Sequence, residues 1–455
     1  MKSISFYNTF SGKKEVFEPK NDEKVNFYTC GPTVYNFIHI GNARPYVVFD
    51  VARKYLEKKG YDVNYIINVT DIEDKIINKA NNENIPFNEV SEKYEKEFLK
   101  DLEYLQVKLP DNMPRATDTI DDMISLIKKL EKKGYTYETS DGIYYRVRKF
   151  KDYGKLSNKN IDELKSGERV AVNSEKEDPL DFVLWKFSKP NEPSWDSPWG
   201  KGRPGWHIEC STMSLKYAGG TLDIHAGGED LIFPHHENEI AQAEAATGEK
   251  FVRYWLHNAY VNIDGIKMSK SLGNFKTVRE LSKKYSSDVI RLFLLSTHYR
   301  KLLNFTDNTI ENAVKKSERI KNFLLKIENI GPVKNDFFKK YNKELKKNLN
   351  NDLNTPGAIG VLMDAIKKAN KNKDKENILS GAKALIYDWN EIFSIIPEEK
   401  EIETDEEDLI NLLIKIRKIE KENKNYEIAD LIRNELEQLD IVLEDTPKGT
   451  RYKKK

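Results

Sequence analysis

Val25-Asn-Phe-Tyr-Thr-Cys30, then His39-Ile-Gly-Asn42, then Val63-Asn-Tyr-Ile-Ile-Asn-Val69 are the stretches that decide the fold. Between the last two, Tyr46, Val47, Phe49, Val51, Ala52, Tyr55 and Leu56 make a mostly apolar helix, although Asp50 and Arg53 interrupt it. Lys58-Lys-Gly60 supplies cations for the helix C-terminus and a glycine for a left-handed cap. The apolar run from Val63 to Val69 reads as a strand buried on both faces. Strand, helix and parallel strand in this order predict an α/β fold on a parallel sheet.

The rest of the chain extends this unit. From about residue 120 to 201 the texture changes to Ser, Asp, Lys, Pro and aromatic residues with short strands such as Gly142-Ile-Tyr-Tyr-Arg-Val147, which predicts an insertion. A second α/β half follows. Thr221-Leu-Asp-Ile-His225 reads as a strand, Ala226 to Asp230 as a loop, and Pro234 to Ala246 as a helix begun by proline. Trp255 to Ile263 reads as one strand turned by Asp264-Gly265. Beyond Asp288 the pattern is helical, an acidic run from Glu398 to Asp408 suggests a linker, and the chain closes on a basic tail, Lys448-Gly-Thr-Arg-Tyr-Lys-Lys-Lys455. These breaks divide the 455 residues into 1–300, 301–397 and 398–455.

Composition narrows the function. Two cysteines give no disulfide framework and fit a reducing compartment. The start, Met1-Lys-Ser-Ile-Ser-Phe-Tyr, has no signal-peptide core, and no run approaches the roughly 18 apolar residues of a membrane span. The expectation is a cytoplasmic monomer without membrane contact. Charged residues are 33% of the chain, yet the net charge is +1, so any nucleic-acid surface must be a local basic patch.

Three constellations carry chemistry. His39, Gly41 and Asn42 stand where a strand gives way to a helix, whose backbone N–H groups favour anions. Gly41 leaves room for a nucleotide, and both polar side chains can donate to phosphate. Lys267-Met-Ser-Lys270-Ser271 follows a turn and offers two ammonium groups for a transferring phosphoryl group. Alone, the first is an ordinary turn and the second a solvated loop; together they point to ATP. The third is metal chemistry. His235 and Glu239, at i and i+4, join Cys30 and Cys210 as donors suited to tetrahedral zinc. The cysteines are 180 positions apart, so the site requires both halves to meet. By spacing alone His236 serves nearly as well as His235. A buried thiol, a helix-capping histidine and a surface glutamate are the bland alternatives.

The chain resembles the bacterial-type cysteinyl-tRNA synthetases of class I. The resemblance rests on Tyr28-Thr-Cys-Gly-Pro-Thr-Val-Tyr35, His39-Ile-Gly-Asn-Ala-Arg-Pro45, Asn68-Val-Thr-Asp71, Gly205-Trp-His-Ile-Glu-Cys210, Phe233-Pro-His-His-Glu-Asn-Glu239, Lys267-Met-Ser-Lys-Ser271, Asp352-Leu-Asn-Thr-Pro356 and Leu443-Glu-Asp-Thr-Pro-Lys-Gly-Thr450. It covers essentially the whole chain in order. It implies a Rossmann-type catalytic domain with an insertion, a helical bundle that binds tRNA, and a small anticodon-binding C-terminal domain. It further implies ATP-dependent activation of L-cysteine to cysteinyl-adenylate and transfer to the 3′ end of tRNA(Cys), with Mg²⁺ accompanying ATP. Zinc held by Cys30, Cys210, His235 and Glu239 would select the substrate thiolate, which singles out His235 over His236. Gly228 and Asp230 would contact the adenosine ribose, His39 and Asn42 the triphosphate, and Lys270 with Lys267 the leaving pyrophosphate. Thr70 and Trp206 would line the amino-acid pocket. His207 and His225 are pocket candidates or structural hydrogen-bonders, and His257 and His298 are structural. Where the family commonly has histidine and tryptophan, this chain has Asn42 and Tyr452. A ligase joining cysteine to an amino sugar needs neither the region after residue 300 nor the basic end. A non-enzymatic tRNA- or zinc-binding module needs neither ATP motif.

Overall fold

A computed structural model describes residues 3–160, 175–190, 192–268, 273–397, 406–446 and 449–454. Lys270, Lys448, Lys455 and the start of the acidic run lie outside the described residues. Four strands build a wholly parallel central sheet in the order Val252–Asn258, Leu222–Gly228, Lys24–Thr29, Asp62–Ile67. The helix Ile40–Lys58 connects the last two, and Gly60 takes φ +88° just beyond it. Asp50 and Arg53 are buried on this helix because both of its flanks are covered. Asp50 accepts from Arg291 Nη2 at 2.9 Å and from Lys54 Nζ at 2.8 Å. Arg53 donates to both Asp111 oxygens and to the Leu109 carbonyl at 2.6 Å. A buried charge is tolerated only when paired in this way.

Several boundaries differ from those expected. The strand after Thr221 runs on to Gly228, so the loop begins later. It is a central strand, and Ala226 is paired on both sides, with Thr29 and Leu256. The helix expected from Pro234 is bounded there by Phe233, which is extended (φ −135°, ψ 131°); the turn Ile232–His236 runs directly into the helix Glu237–Thr247, and His236 is already helical (φ −68°, ψ −30°). The strand expected over Trp255–Ile263 is two strands, Val252–Asn258 and Val261–Ile263. At the break, Ala259 N donates to Tyr299 O at 2.8 Å and Tyr260 N to Glu229 Oε1 at 3.1 Å, so the chain leaves the central sheet. Asp264 and Gly265 both have positive φ, 48° and 80°, and turn Val261–Ile263 into Ile266–Lys267 as the sequence predicts.

Between the two halves, the helix Ile120–Lys132 precedes an antiparallel sheet ordered Thr136–Thr139, Gly142–Tyr145, Phe182–Phe187, Gly202–Pro204. Its last strand ends at Pro204, directly before the helix Trp206–Ala218. Beyond Ser287 come helices Ser287–Leu294, Asp307–Lys326, Asp336–Leu349, Thr355–Asn370 and Glu376–Phe393. They share one hydrophobic core with the parallel sheet, from Ile4 to Ile395. Tyr55 on the first long helix donates to Asn350 Oδ1 at 2.7 Å, and Arg291 Nε to the Phe393 carbonyl at 2.6 Å.

The chain forms two compact units, 1–397 and 398–455. In the second, helices Glu406–Glu422 and Tyr426–Gln438 and the hairpin Ile441–Thr446/Gly449–Lys454 enclose Ile410, Leu436, Ile441 and Leu443. The basic end is therefore a strand and not a free tail. Tyr452 pairs with Leu443 and packs on the small core, and Lys453 pairs with Glu444. No helix among the described residues is long and apolar enough to cross a membrane.

Candidate active site and metal centre

Cys30 follows the central strand Lys24–Thr29, and its N–H is held by Ala226 O at 3.0 Å. Cys210 lies one turn into the helix Trp206–Ala218, while His235 precedes and Glu239 opens the helix Glu237–Thr247. These elements meet above the sheet, and all four side chains are buried. Cys30 Sγ lies 4.0 Å from Cys210 Sγ and 3.8 Å from Glu239 Oε1, and His235 Nε2 lies 3.0 Å from the same oxygen. Two thiolates about 2.3 Å from one tetrahedral zinc would lie about 3.8 Å apart, so the observed spacing fits such an ion. A second set shares two members: Cys30, His225, His236 and Glu239 also bring donor atoms within 4.8 Å of one another. Only the first set uses both thiols, the softer donors.

Five of the seven histidines gather here. His225 Nε2 meets Glu239 Oε2 at 2.8 Å, His207 Nδ1 meets His235 Nδ1 at 2.8 Å, and His236 Nδ1 meets His257 Nε2 at 2.8 Å. His257 in turn reaches Thr9 Oγ1 at 2.8 Å. Such partners fix ring orientation around a metal. The electrostatics favour a cation. The Cys30 hydrogen bond brings the Cys210 thiol down to about 6. Burial pushes Cys30 well up, and the neighbouring Cys210 adds to it. The pair thus favours one thiolate over two, and a bound cation would favour both as thiolates. Burial disfavours the Glu239 anion, but His225 and His235 outweigh it and bring its pKa down to about 2. Burial opposes the charged form of His235, yet Glu239 and Cys210 raise it to about 10.

Met268, in the described part of the second phosphate motif, lies against the first. His39 caps the helix Ile40–Lys58: its Nδ1 accepts from Asn42 N at 3.1 Å, and Asn42 Oδ1 accepts from His39 N at 3.5 Å. The segment after the lysine-rich loop is stitched to this cap, with Ile40 N donating to Lys276 O at 2.9 Å and Val278 N to Ile38 O at 3.1 Å. A Cβ on Gly41 would stand 2.8 Å from Met268 Cε and 2.9 Å from the His39 ring. Lys267 lies over the Tyr260 ring at 4.2 Å. Gly228 ends its strand, and a Cβ there would lie 2.3 Å from Asp230 Oδ1.

Residues 16–315 match the model for the tRNA synthetases class I (C) catalytic domain, and residues 344–396 match the DALR domain. The Cysteine--tRNA ligase of Caldicellulosiruptor saccharolyticus is 49% identical over 99% of this chain and 100% of its own length. The chain belongs to the cysteine--tRNA ligase family. The family member of Thermococcus gammatolerans is 47% identical over 99% of both chains. Among solved structures, a methionyl-tRNA synthetase of Mycobacterium tuberculosis with methionyl-adenylate superposes with a TM-score of 0.61, 15% identity and coverage of 82% of this chain and 90% of that one. A LeuRS–tRNA–LeuAMS complex from Agrobacterium radiobacter gives 0.62 at 10% identity, covering 83% and 85%. These likenesses show the class I fold.

Within this cysteine--tRNA ligase fold, the structure brings together all four expected metal donors, and brings Gly41 against Met268. Lys270 lies outside the described residues. Thr70 is buried and donates to Glu209 Oε2 at 2.9 Å. Trp206 is 40% exposed and stacks on His235 at 4.2 Å, so it is no packed core tryptophan. His298 meets Asp352 at 3.6 Å, away from the cluster. Sequence reasoning passed over Glu209, although it adjoins Cys210. It is 1% exposed, its Oε1 has no hydrogen-bond partner among the described residues, and burial together with Cys210 pushes its carboxyl well above the ordinary range. An acidic residue directly before a metal-binding cysteine on a helix was the available signal. His257 is structural as expected: it holds His236 across 21 residues of sequence.

Proposed function

We propose that this chain activates L-cysteine with ATP and transfers the cysteinyl group to the 3′ end of tRNA(Cys). The observation that carries the reading is the buried Cys30–Cys210–His235–Glu239 cluster within 4.8 Å, in one unit with the paired phosphate motifs. Zinc bound there supplies a soft Lewis-acid site that favours a substrate thiolate over the hydroxyl of serine, a distinction an apolar pocket makes poorly. His225 orients Glu239 and His207 orients His235, while His257 holds His236, whose Nε2 lies 3.3 Å from Cys30 Sγ. Trp206 walls the site beside His235, and Thr70, held by Glu209, presents a hydroxyl at its edge.

Helix-start N–H groups behind His39 hold the ATP phosphates, and Gly41 admits them close to the backbone. Asn42 keeps the cap without a titratable ring. Lys267 and Lys270 neutralise charge on the leaving pyrophosphate, an interaction strongest in the transition state. Gly228 and Asp230 take the ribose, and Mg²⁺ arrives with ATP. Catalysis resides in 1–300, while 301–397 and 398–455 bind tRNA, the latter at the anticodon. The enzyme acts as a cytoplasmic monomer. Cysteine-dependent ATP–pyrophosphate exchange followed by charging of purified tRNA isoacceptors tests this reading. Exchange with serine equal to that with cysteine, or charging of an isoacceptor other than tRNA(Cys), would overturn it.

A further inference from the structure

The stretch that follows the lysine motif, Phe275-Lys-Thr-Val278, is pinned from two sides. On one side His39 and Thr277 form a bridge, with Ile40 N donating to Lys276 O at 2.9 Å and Val278 N to Ile38 O at 3.1 Å. The His39 ring also meets Phe275 edge-on at 4.7 Å. On the other side stands the helix Phe87–Tyr104, and Arg279 makes the connection to it.

Arg279 touches three groups. Its Nη2 pairs with Glu97, its Nε lies 3.5 Å from Asp101 Oδ1, and its guanidinium lies over the Phe37 ring at 4.9 Å. Glu97 and Asp101 stand at i and i+4 and share one face of their helix. Phe37, two residues before His39, packs edge-on against Tyr94 of the same helix at 5.4 Å. Asp101 is 3% exposed, its Oδ2 has no hydrogen-bond partner, and Arg279 is the one basic side chain paired with it among the described residues. Exposed ion pairs contribute little, but a buried carboxylate deprived of its cation is costly. The pair therefore holds the two helices in place. Tyr104 adds a second tie, donating to Tyr285 O at 2.5 Å.

The short helix Val278–Ser282 does not need Arg279 in order to form. Thr277 and Glu280 close a capping box at its start, with Glu280 N donating to Thr277 Oγ1 at 3.1 Å and Thr277 N to Glu280 Oε2 at 2.8 Å. Arg279 sets where this helix lies. We infer that Arg279 is a positioning residue for the activation step: anchored by Asp101 and Glu97, it fixes the stretch leaving the lysine motif against His39. The inference rests on the function proposed above. A displacement on the order of 1 Å near reacting groups can cost about a hundredfold in rate. Transfer to tRNA begins after pyrophosphate has left and does not depend on this register.

The test uses the full zinc-loaded chain and the variants Arg279→Met, Arg279→Lys and Asp101→Asn. Arg279→Met keeps a long stem over Phe37 and removes the charge. It should slow pre-steady-state adenylate formation roughly ten- to a hundredfold while the KM for ATP moves by no more than about threefold. Asp101→Asn should shift the rate in the same direction, and the double variant should fall no further than the worse single one. Arg279→Lys should recover much of the loss. Transfer from preformed adenylate to tRNA should stay within about twofold throughout. Unchanged activation in Arg279→Met, equal losses in activation and transfer, or additive losses in the double variant would each overturn the inference. Hydrogen–deuterium exchange tests the clamp without catalysis. Protection of the Ile40 and Val278 amides should fall in Arg279→Met while that of the central strand Lys24–Thr29 holds, and unchanged protection would overturn the clamp. A wild-type chain without cysteine-dependent activation would refute the proposed function and, with it, the role of Arg279 in activation, while the loss of amide protection would still establish the clamp.

Discussion

The Cys210 thiol, brought to about 6 by its hydrogen bond from Cys30, is the anionic end of a four-donor cluster. Serine in its place offers a hard oxygen that does not ionise near neutrality, and it leaves Cys30 without its sulfur partner. Cys210→Ser should lower zinc content from about one ion per chain to a small fraction, and raise the KM for cysteine well before that for ATP. Elemental analysis after dialysis, with separate exchange titrations of each substrate, checks this. Full zinc occupancy in the variant would exclude Cys210 as a ligand. At this scale the sequence identified the donor types and left the choice between His235 and His236 open on spacing alone. The structure shows why: His235 lies 3.0 Å and His236 3.9 Å from Glu239 Oε1, and each belongs to a four-donor set. What separates them is the second cysteine, a partner remote in sequence.

The start of the helix Ile40–Lys58 shows how a local rule is overridden by a neighbour. Alanine favours a helix over glycine by roughly 0.5–1 kcal/mol, so Gly41→Ala would be expected to stabilise it. Its Cβ, however, would press on Met268 at 2.8 Å and on the His39 ring at 2.9 Å, where the two phosphate motifs meet. The variant should keep its melting temperature within a few degrees and lose about one to two orders of magnitude in kcat/KM for ATP. Calorimetry and exchange kinetics at varied ATP check both halves, and unchanged ATP kinetics would refute the placement. In the C-terminal unit the controlling element is the hairpin at Asp445. Arg417 donates to both its oxygens, at 2.8 and 3.0 Å, and Lys421 and Thr450 add to them. The Arg417 hydrogen bond first, and then those of Lys421 and Thr450, hold the Asp445 carboxyl far below its ordinary value. A depressed carboxylate contributes stability that is present above its unfolded value of about 4 and is lost as pH falls below it. Acid unfolding of this unit followed by circular dichroism should therefore steepen below about pH 4, and Asp445→Asn should flatten that dependence. An identical acid profile in the variant would contradict the assignment. The sequence anticipated the helix start at His39–Asn42 and the turn at Asp264-Gly265, since both rest on residues adjacent in the chain. It left the basic end as a tail, because its pairing partner at Leu443 is set by contacts that local patterning does not contain.

For the molecule as a whole, the core that runs from Ile4 to Ile395 means that the parallel sheet and the helices after Ser287 are held together, while 398–455 has its own small core. A chain ending at Pro397 should fold, keep cysteine-dependent ATP–pyrophosphate exchange within about twofold, and lose discrimination between tRNA(Cys) and other isoacceptors. Exchange and charging assays on the truncated chain check this, and unchanged isoacceptor selectivity would refute the division of labour. By itself the sequence determined the α/β class, the parallel strands around Cys30 and Val63–Ile67, both phosphate motifs and the donor types of the metal centre. Each of these follows from residue chemistry and short-range periodicity. Only the tertiary structure decided that His225 and His207 brace the cluster while His257 holds His236, and that Asp50 and Arg53 are buried as pairs. The physical reason is common to all of them: burial and charge pairing depend on which distant segments the sheet and the bundle bring within a few ångströms, and no spacing along the chain encodes that distance.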